Sequence, residues 1–292
     1  MARVRNSSPS VLGNIYYGYL SYLRSVLISD RFSSSSSAQA PHFLREKDVL
    51  IQLPCSDYEF INEIPAATEM LNGGYNPTIL KVPGIQLGAL DPCAYFIRMI
   101  STWGRVVSYV NGPRDQTLPP WDPNSDFAKF DNELYSMHSS LPQHYIYTRN
   151  NLSAAIAENR AHSLIFLHVT IRHSLYFLHR WLFPSKANSQ LTSMYKDAPP
   201  DFINTSARKC IAAANAISMI LADVQEMNTL LLVPFMGFCA FTTATLHVSN
   251  AFSPDPEISS TAKRHLATNL KILMVMRKHW YPSVLLLTCV CC

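Results

Sequence analysis

Histidine and cysteine are the residues through which this 292-residue chain could do chemistry, because imidazole and thiolate bind metals, move protons and attack electrophiles. His162, His168, His173 and His179 fall within one stretch of helical apolar period. Two imidazoles that share an ion from one helix stand about three or four residues apart, on one face. Here the gaps are six, five and six, which spread the rings around the wheel. They are expected to be structural or surface histidines, and so are His138 and His144. The seven cysteines are Cys55, Cys93, Cys210, Cys239, Cys289, Cys291 and Cys292. Their number is odd and the first four lie far apart, which fits reduced, buried thiols better than a disulfide framework. The terminal Cys289-Val290-Cys291-Cys292 matches neither a prenylation box nor a zinc spacing.

Carboxylates could work as acid and base where a pocket brings two together. Asp57-Tyr58-Glu59, Asp122, Asp126 and Asp131 are instead expected in solvated loops and helix caps. No GxxxxGK[ST] or GxGxxG loop is present, Gly84 and Gly88 lack the strand and helix start of a phosphate site, and no GxSxG elbow occurs. The residues therefore nominate no catalytic, cofactor-binding, metal or DNA-binding position, and the chain is expected not to be an enzyme.

The elements that would position these residues are helical. Glycine is scarce, at 9 residues, which argues against sandwiches and nucleotide-binding α/β folds. Proline is absent from 143–183, 201–233 and 257–281, intervals long enough for long helices. Asp91-Pro92 is a helix start, and positions 93, 96, 97, 100, 103, 104, 107 and 110 are apolar apart from Gly104. Asp122-Pro123 repeats the start for a helix to about Ser140, ended by Leu141-Pro142. A long helix is expected over about 153–182, apolar round most of its circumference in its second half. Another starts at Pro200-Asp201. The last covers 257–280, with Leu266, Leu270, Leu273 and Met274 facing inward and Lys263, Arg264, Lys271 and Lys278 in solvent. No segment alternates as a strand. The expected fold is all-α, a multi-helix bundle of long antiparallel helices, with a long irregular connection at about 33–90 that includes five consecutive serines at 33–37.

Between Glu226 and Asp255 no side chain carries a full charge, and 230–248 is long enough to span a bilayer. Pro234, His247 and three threonines (Thr242, Thr243, Thr245) interrupt it and no basic flank orients it, so a buried core helix is expected, with a membrane span as the alternative. Arg3 and Arg5 precede an apolar stretch, but Asn14, Tyr16, Tyr17, Tyr19 and Tyr22 interrupt it too often for a signal peptide. A net charge of +4 is too small and dispersed for a nucleic-acid surface.

With these elements placed, Asp30 to Phe60 resembles a segment of the fungal-specific transcription factor domain, the middle homology region of fungal zinc-cluster transcription factors. The resemblance lies in Asp30-Arg31-Phe32, Pro41, Glu46-Lys47-Asp48, Leu53-Pro54-Cys55, Asp57, Glu59 and Phe60. Trp103-Gly104-Arg105-Val106, the run from Pro119 to Phe127, Leu141-Pro142, and Leu167-His168 through Leu178-His179-Arg180 are similar to later motifs of that family, in the same order. The resemblance implies a regulatory domain over 25–282, N-terminally incomplete, between an atypical segment at 1–24 and an atypical tail at 283–292. It further implies a nuclear protein that modulates DNA-templated transcription through a protein partner or small-molecule effector, with dimerisation through elements of full-length relatives. The six-cysteine pattern CxxCx6C…CxxCx6C of the family is not found in this sequence. Zinc binding and DNA contact therefore transfer to no residue of this chain, and no cofactor is expected in it. A helical enzyme, a membrane-associated protein using 230–248 and a nonfunctional truncated fragment are the rival expectations.

Overall fold

Cap chemistry and helical period decide where the elements begin and end, and the computed structural model describes residues 25–32, 43–49, 52–62, 64–112, 118–180, 182, 197–229 and 233–279. The remaining positions, among them 1–24, 281–292 and the serine run, lie outside the described residues. The chain forms two compact units, Met1–Asn111 and Gly112–Cys292. The fold is all-α as expected, with almost no strand among the described residues.

In the first unit, residues 25–32 are helical and α2 (Pro92–Asn111) supplies the second long face. Leu27, Val49, Leu53, Ala94 and Ile97 form its core. α2 buries more than the expected stripe, taking Met99, Ser101, Thr102 and Val106 inside as well. The connection between them is irregular but stitched. It holds 3-10 turns at Glu46–Asp48 and Ile79–Lys81, the five-residue helix α1 (Asp57–Ile61), and two-residue strands β1 (Ala66–Ala67) and β2 (Gln86–Leu87) paired in parallel. The strands are too short to show period-2 alternation, so the sequence carries no sign of them.

The motif residues near Asp30 make these stitches. The buried Asp30 carboxylate accepts the amide N–H groups of Phe43 (2.9 Å) and Leu44 (3.4 Å) and pairs with Arg31 at 2.5 Å. Arg31 in turn donates to the Leu44 carbonyl at 2.8 Å. Glu46 accepts the Ser101 hydroxyl at 2.5 Å and lies 3.3 Å from Arg105 Nε, while Glu69 pairs with Arg98. Ser56 and Glu59 form a reciprocal capping box on α1, and the same Glu59 carboxylate accepts the Ala89 amide at 3.3 Å. Glu59 is thus a cap and a strap, not a solvated acid.

That strap leaves no room at Gly88. A Cβ there would lie 2.8 Å from the Ala66 Cβ and 3.1 and 3.2 Å from the Glu59 carboxylate oxygens. Gly88→Ala is expected to cost about 1–3 kcal/mol by overpacking. Urea denaturation would show this as a lower midpoint at unchanged m-value, and an unchanged midpoint would refute the close approach.

The second unit is a helical bundle. α3 (Asp126–Ser139) starts later than the Asp122-Pro123 signal suggests. Asp122 caps a preceding turn through the Asn124 amide (2.7 Å), and Ser125 is the true N-cap, accepting the Ala128 amide at 3.1 Å. The helix expected over 153–182 is two helices, α4 (Arg149–Ala157) and α5 (Ala161–Arg180). Asn159 takes a left-handed φ of 57°, and Arg160 N–H bonds the Ala155 carbonyl at 2.7 Å. This closes a Schellman cap, for which asparagine is a tolerated substitute for glycine. Asn228 (φ 52°) ends α6 (Pro200–Glu226) in the same way.

α7 (Pro234–Ala251) and α8 (Pro256–Met276) pack on each other and on α6, and α5 packs on α6. Leu164, Ile165, Ile217, Leu221, Ile272 and Leu273 are central to the core, each contributing about 1.5–3 kcal/mol on full burial. The charge-free stretch near 230–248 is therefore core in its described part. Thr243 returns its hydroxyl to the Cys239 carbonyl at 2.7 Å, and among the described residues no helix is long and apolar enough to cross a membrane. The inward face of α8 differs from expectation. Ala262, His265, Asn269, Ile272, Leu273 and Met276 are buried, whereas Met274 is 45% exposed. The Asn269 amide reaches Thr243 Oγ1 (2.8 Å) and the Ala240 carbonyl (3.1 Å) on α7. That contact favours a partly polar stripe over the purely apolar one.

Candidate functional site

α5 collects several polar side chains of the second unit, because its neighbours each present a different partner. His168 Nε2 donates to the Tyr145 carbonyl at 2.7 Å. His173 Nε2 meets Thr242 Oγ1 of α7 at 3.0 Å inside a ring of Tyr176, Phe177, Phe235 and Phe238. His179 Nε2 meets Asp131 Oδ1 of α3 at 3.1 Å, and His162 is exposed. The spacing of six, five and six sends each ring to its own environment.

Burial sets the charge of these rings. The pKa of His168 falls to about 4, with burial the main cause, and that of His173 to about 3 through burial alone. His247, which meets Ser218 Oγ at 2.9 Å, falls to about 4 through burial and the nearby His265. Asp131, expected in a solvated loop or a cap, is instead paired with side chains of other helices. Burial would raise its pKa, but hydrogen bonds from His179 and Lys209 (Nζ at 2.5 Å) outweigh burial and hold the carboxyl below its usual value. His138 Nε2 accepts from the Arg172 guanidinium at 3.1 Å, and its ring packs edge-on against His168 at 5.8 Å. The pairs His138–Arg172, His179–Asp131 and Lys209–Asp131 are not legible as spacings, since the partners stand 34 to 78 residues apart.

What the arrangement can do chemically is limited. Ser218 and His247 are a hydroxyl–imidazole pair, but both are buried, so a substrate has no approach to the hydroxyl. Among the described residues no group of three or more His, Cys, Asp or Glu could hold a metal ion. Burial raises the Cys210 thiol to about 12 and Cys239 well above the ordinary thiol value, which keeps both as neutral thiols and poor ligands. The described cysteines thus do not fit a zinc cluster. Cys289, Cys291 and Cys292 lie outside the described residues.

No model of a known protein family matches the chain, and no solved structure matches it. Curated proteins do: the chain is similar to a part of fungal Zn(2)-C6 transcription factors and of a fungal transcriptional regulatory protein. Among them is the Zn(2)-C6 fungal-type transcription factor FTF2 of Fusarium oxysporum f. sp. lycopersici, 31% identical over 87% of this chain and 23% of its own length. FTF1c of the same fungus is 28% identical over 87% of this chain and 27% of its own length. A transcriptional regulatory protein of Schizosaccharomyces pombe is 28% identical over 88% of this chain and 30% of its own length. The chain spans about a quarter of the length of the curated relatives it matches.

Proposed function

We propose that residues 25–282 are the helical regulatory region of a fungal zinc-cluster type transcription factor, acting in the nucleus to modulate DNA-templated transcription and not to catalyse a reaction. The observation that carries this reading is the similarity to Zn(2)-C6 transcription factors across 87% of the chain. It is supported by the placement of the motif residues Asp30, Arg31, Glu46, Leu53 and Glu59, which hold the first unit together. In physical terms such a region acts by population shift. A protein partner or small effector that binds one helical packing better than another moves the balance between them, by no more than its difference in affinity. DNA contact would come from a zinc cluster, which no cysteine pattern of this sequence forms.

The test is a reporter assay in a fungal host, with the chain fused to a heterologous DNA-binding domain. Reporter output should change several-fold, up or down, relative to the DNA-binding domain alone, and the Asp30→Ala variant should reduce the effect by unfolding the first unit. A fusion protein present at normal level in the nucleus, with output equal to that of the DNA-binding domain alone, would remove the reading.

A further inference from the structure

Arg172 lies on α5 one turn after His168 and is half-buried. Where Arg31, Arg98 and Arg149 each have a carboxylate, Arg172 has none among the described residues. Its one hydrogen-bond partner there is the Nε2 atom of His138, and burial alone lowers its pKa. A guanidinium carries five N–H donors in a planar fork, and desolvating it without a counter-charge is unfavourable. His138 is held neutral by its burial and by the neighbouring cation. Since its Nε2 accepts from Arg172, its proton belongs on Nδ1. His168, the third basic group, is also neutral and already donates to Tyr145. Asp131 is two turns back on α3 and is occupied by His179 and Lys209. The C-terminal end of α3 offers partial negative charge near His138, but Arg172 makes no hydrogen bond to its carbonyls. Neither Arg172 nor His138 has a sealed, unpartnered polar atom, so their remaining donors open to solvent.

We propose that Arg172 and His138 form a binding site for a small carboxylate, the guanidinium giving it two parallel N–H bonds and the imidazole a third. Planar, bidentate recognition is what distinguishes a guanidinium from an ammonium. An anion seated there neutralises Arg172 and supplies an acceptor, so His138 takes up a proton on binding. The site is read from this chain's own charges and stands whether or not the chain regulates transcription.

The test uses the full chain, with succinate as probe and ionic strength held constant with sodium chloride. The His138 imidazole signal is followed by NMR and assigned by its loss in His138→Gln. Succinate should move the signal saturably and raise the His138 pKa by about 1 unit or more, whereas sodium chloride alone should not. Arg172→Gln should abolish the response. Arg172→Lys, which keeps the charge and the fold but not the fork, should weaken succinate binding about tenfold. A response reproduced by sodium chloride, equal succinate affinity in Arg172→Lys, or tighter binding of inorganic phosphate than of succinate would each overturn the assignment.

Discussion

Acidification from about pH 7 to about pH 4 is expected to unfold the Gly112–Cys292 unit, because its buried histidines must charge. His168, His173 and His247 have folded pKa values near 4, 3 and 4, all caused chiefly by burial. In the unfolded chain each titrates near 6.5. A depressed histidine pKa means that the unfolded state binds more protons over the interval between the two values. The stability these groups contribute is therefore complete above about pH 6.5 and is lost progressively as pH falls toward the folded values. The shifts correspond to roughly 3 kcal/mol each for His168 and His247 and roughly 5 kcal/mol for His173, on the order of 10 kcal/mol together, against a total of about 5–15 kcal/mol for an ordinary domain. His138 and His265 shift in the same direction and add to the loss. Asp131, whose pKa is lowered, contributes a further loss only when the pH falls below about 3.8. Circular dichroism across this range should show a cooperative loss of helix with a midpoint of roughly pH 5. His173→Phe removes one titrating ring from an aromatic surround. It leaves Thr242 bonded to the Phe238 carbonyl at 3.0 Å, so the transition should move to lower pH and lose about one proton of steepness. A helical signal unchanged down to about pH 3 would contradict the buried, neutral assignment.

Asp30→Ala is expected to have the largest effect of any single substitution in the first unit. The Arg31 side chain is 2% exposed and that of Asp30 is 6% exposed. Removing one partner of a buried ion pair leaves the other charge desolvated, which costs about 3–5 kcal/mol. The same substitution takes the acceptor from the Phe43 and Leu44 amides. Urea unfolding should show the loss as a lower midpoint. The double variant Asp30→Ala with Arg31→Leu should recover part of it, because no guanidinium is then left buried without the Asp30 carboxylate. If the single variant melts like the unaltered protein, Asp30 is not the acceptor that anchors residues 43 and 44.

Most of the helices were legible because their causes are local. Asp91-Pro92 opened α2 where expected, and the inward positions Phe96, Ile97, Ile100, Trp103 and Val107 are buried. The Ser56–Glu59 capping box was also present in the sequence as a serine followed three residues later by glutamate. A cap was within the expectation for Glu59, but its bond to the Ala89 amide, 30 residues away, was not. The break at Asn159 was missed because apolar period continues across it, and only a left-handed φ, open to asparagine at modest cost, separates α4 from α5. The polar clusters were beyond reach for a different reason. Arg172 looks like any surface arginine until His138 is seen beside it, and Asp131 looks like a solvated acid until His179 and Lys209 close on it.

The order of apolar residues, prolines and cap residues by itself determined that this chain is helical and roughly where each helix runs, since period and capping act within a few residues. Tertiary packing decided which polar groups go inside and which of them meet. It put His265 and Asn269 of α8 in the core in place of Met274 and left Arg172 without a carboxylate among the described residues. Burial and pairing depend on neighbours brought together from distant positions, and the strength of an electrostatic contact is set by how much water those neighbours exclude.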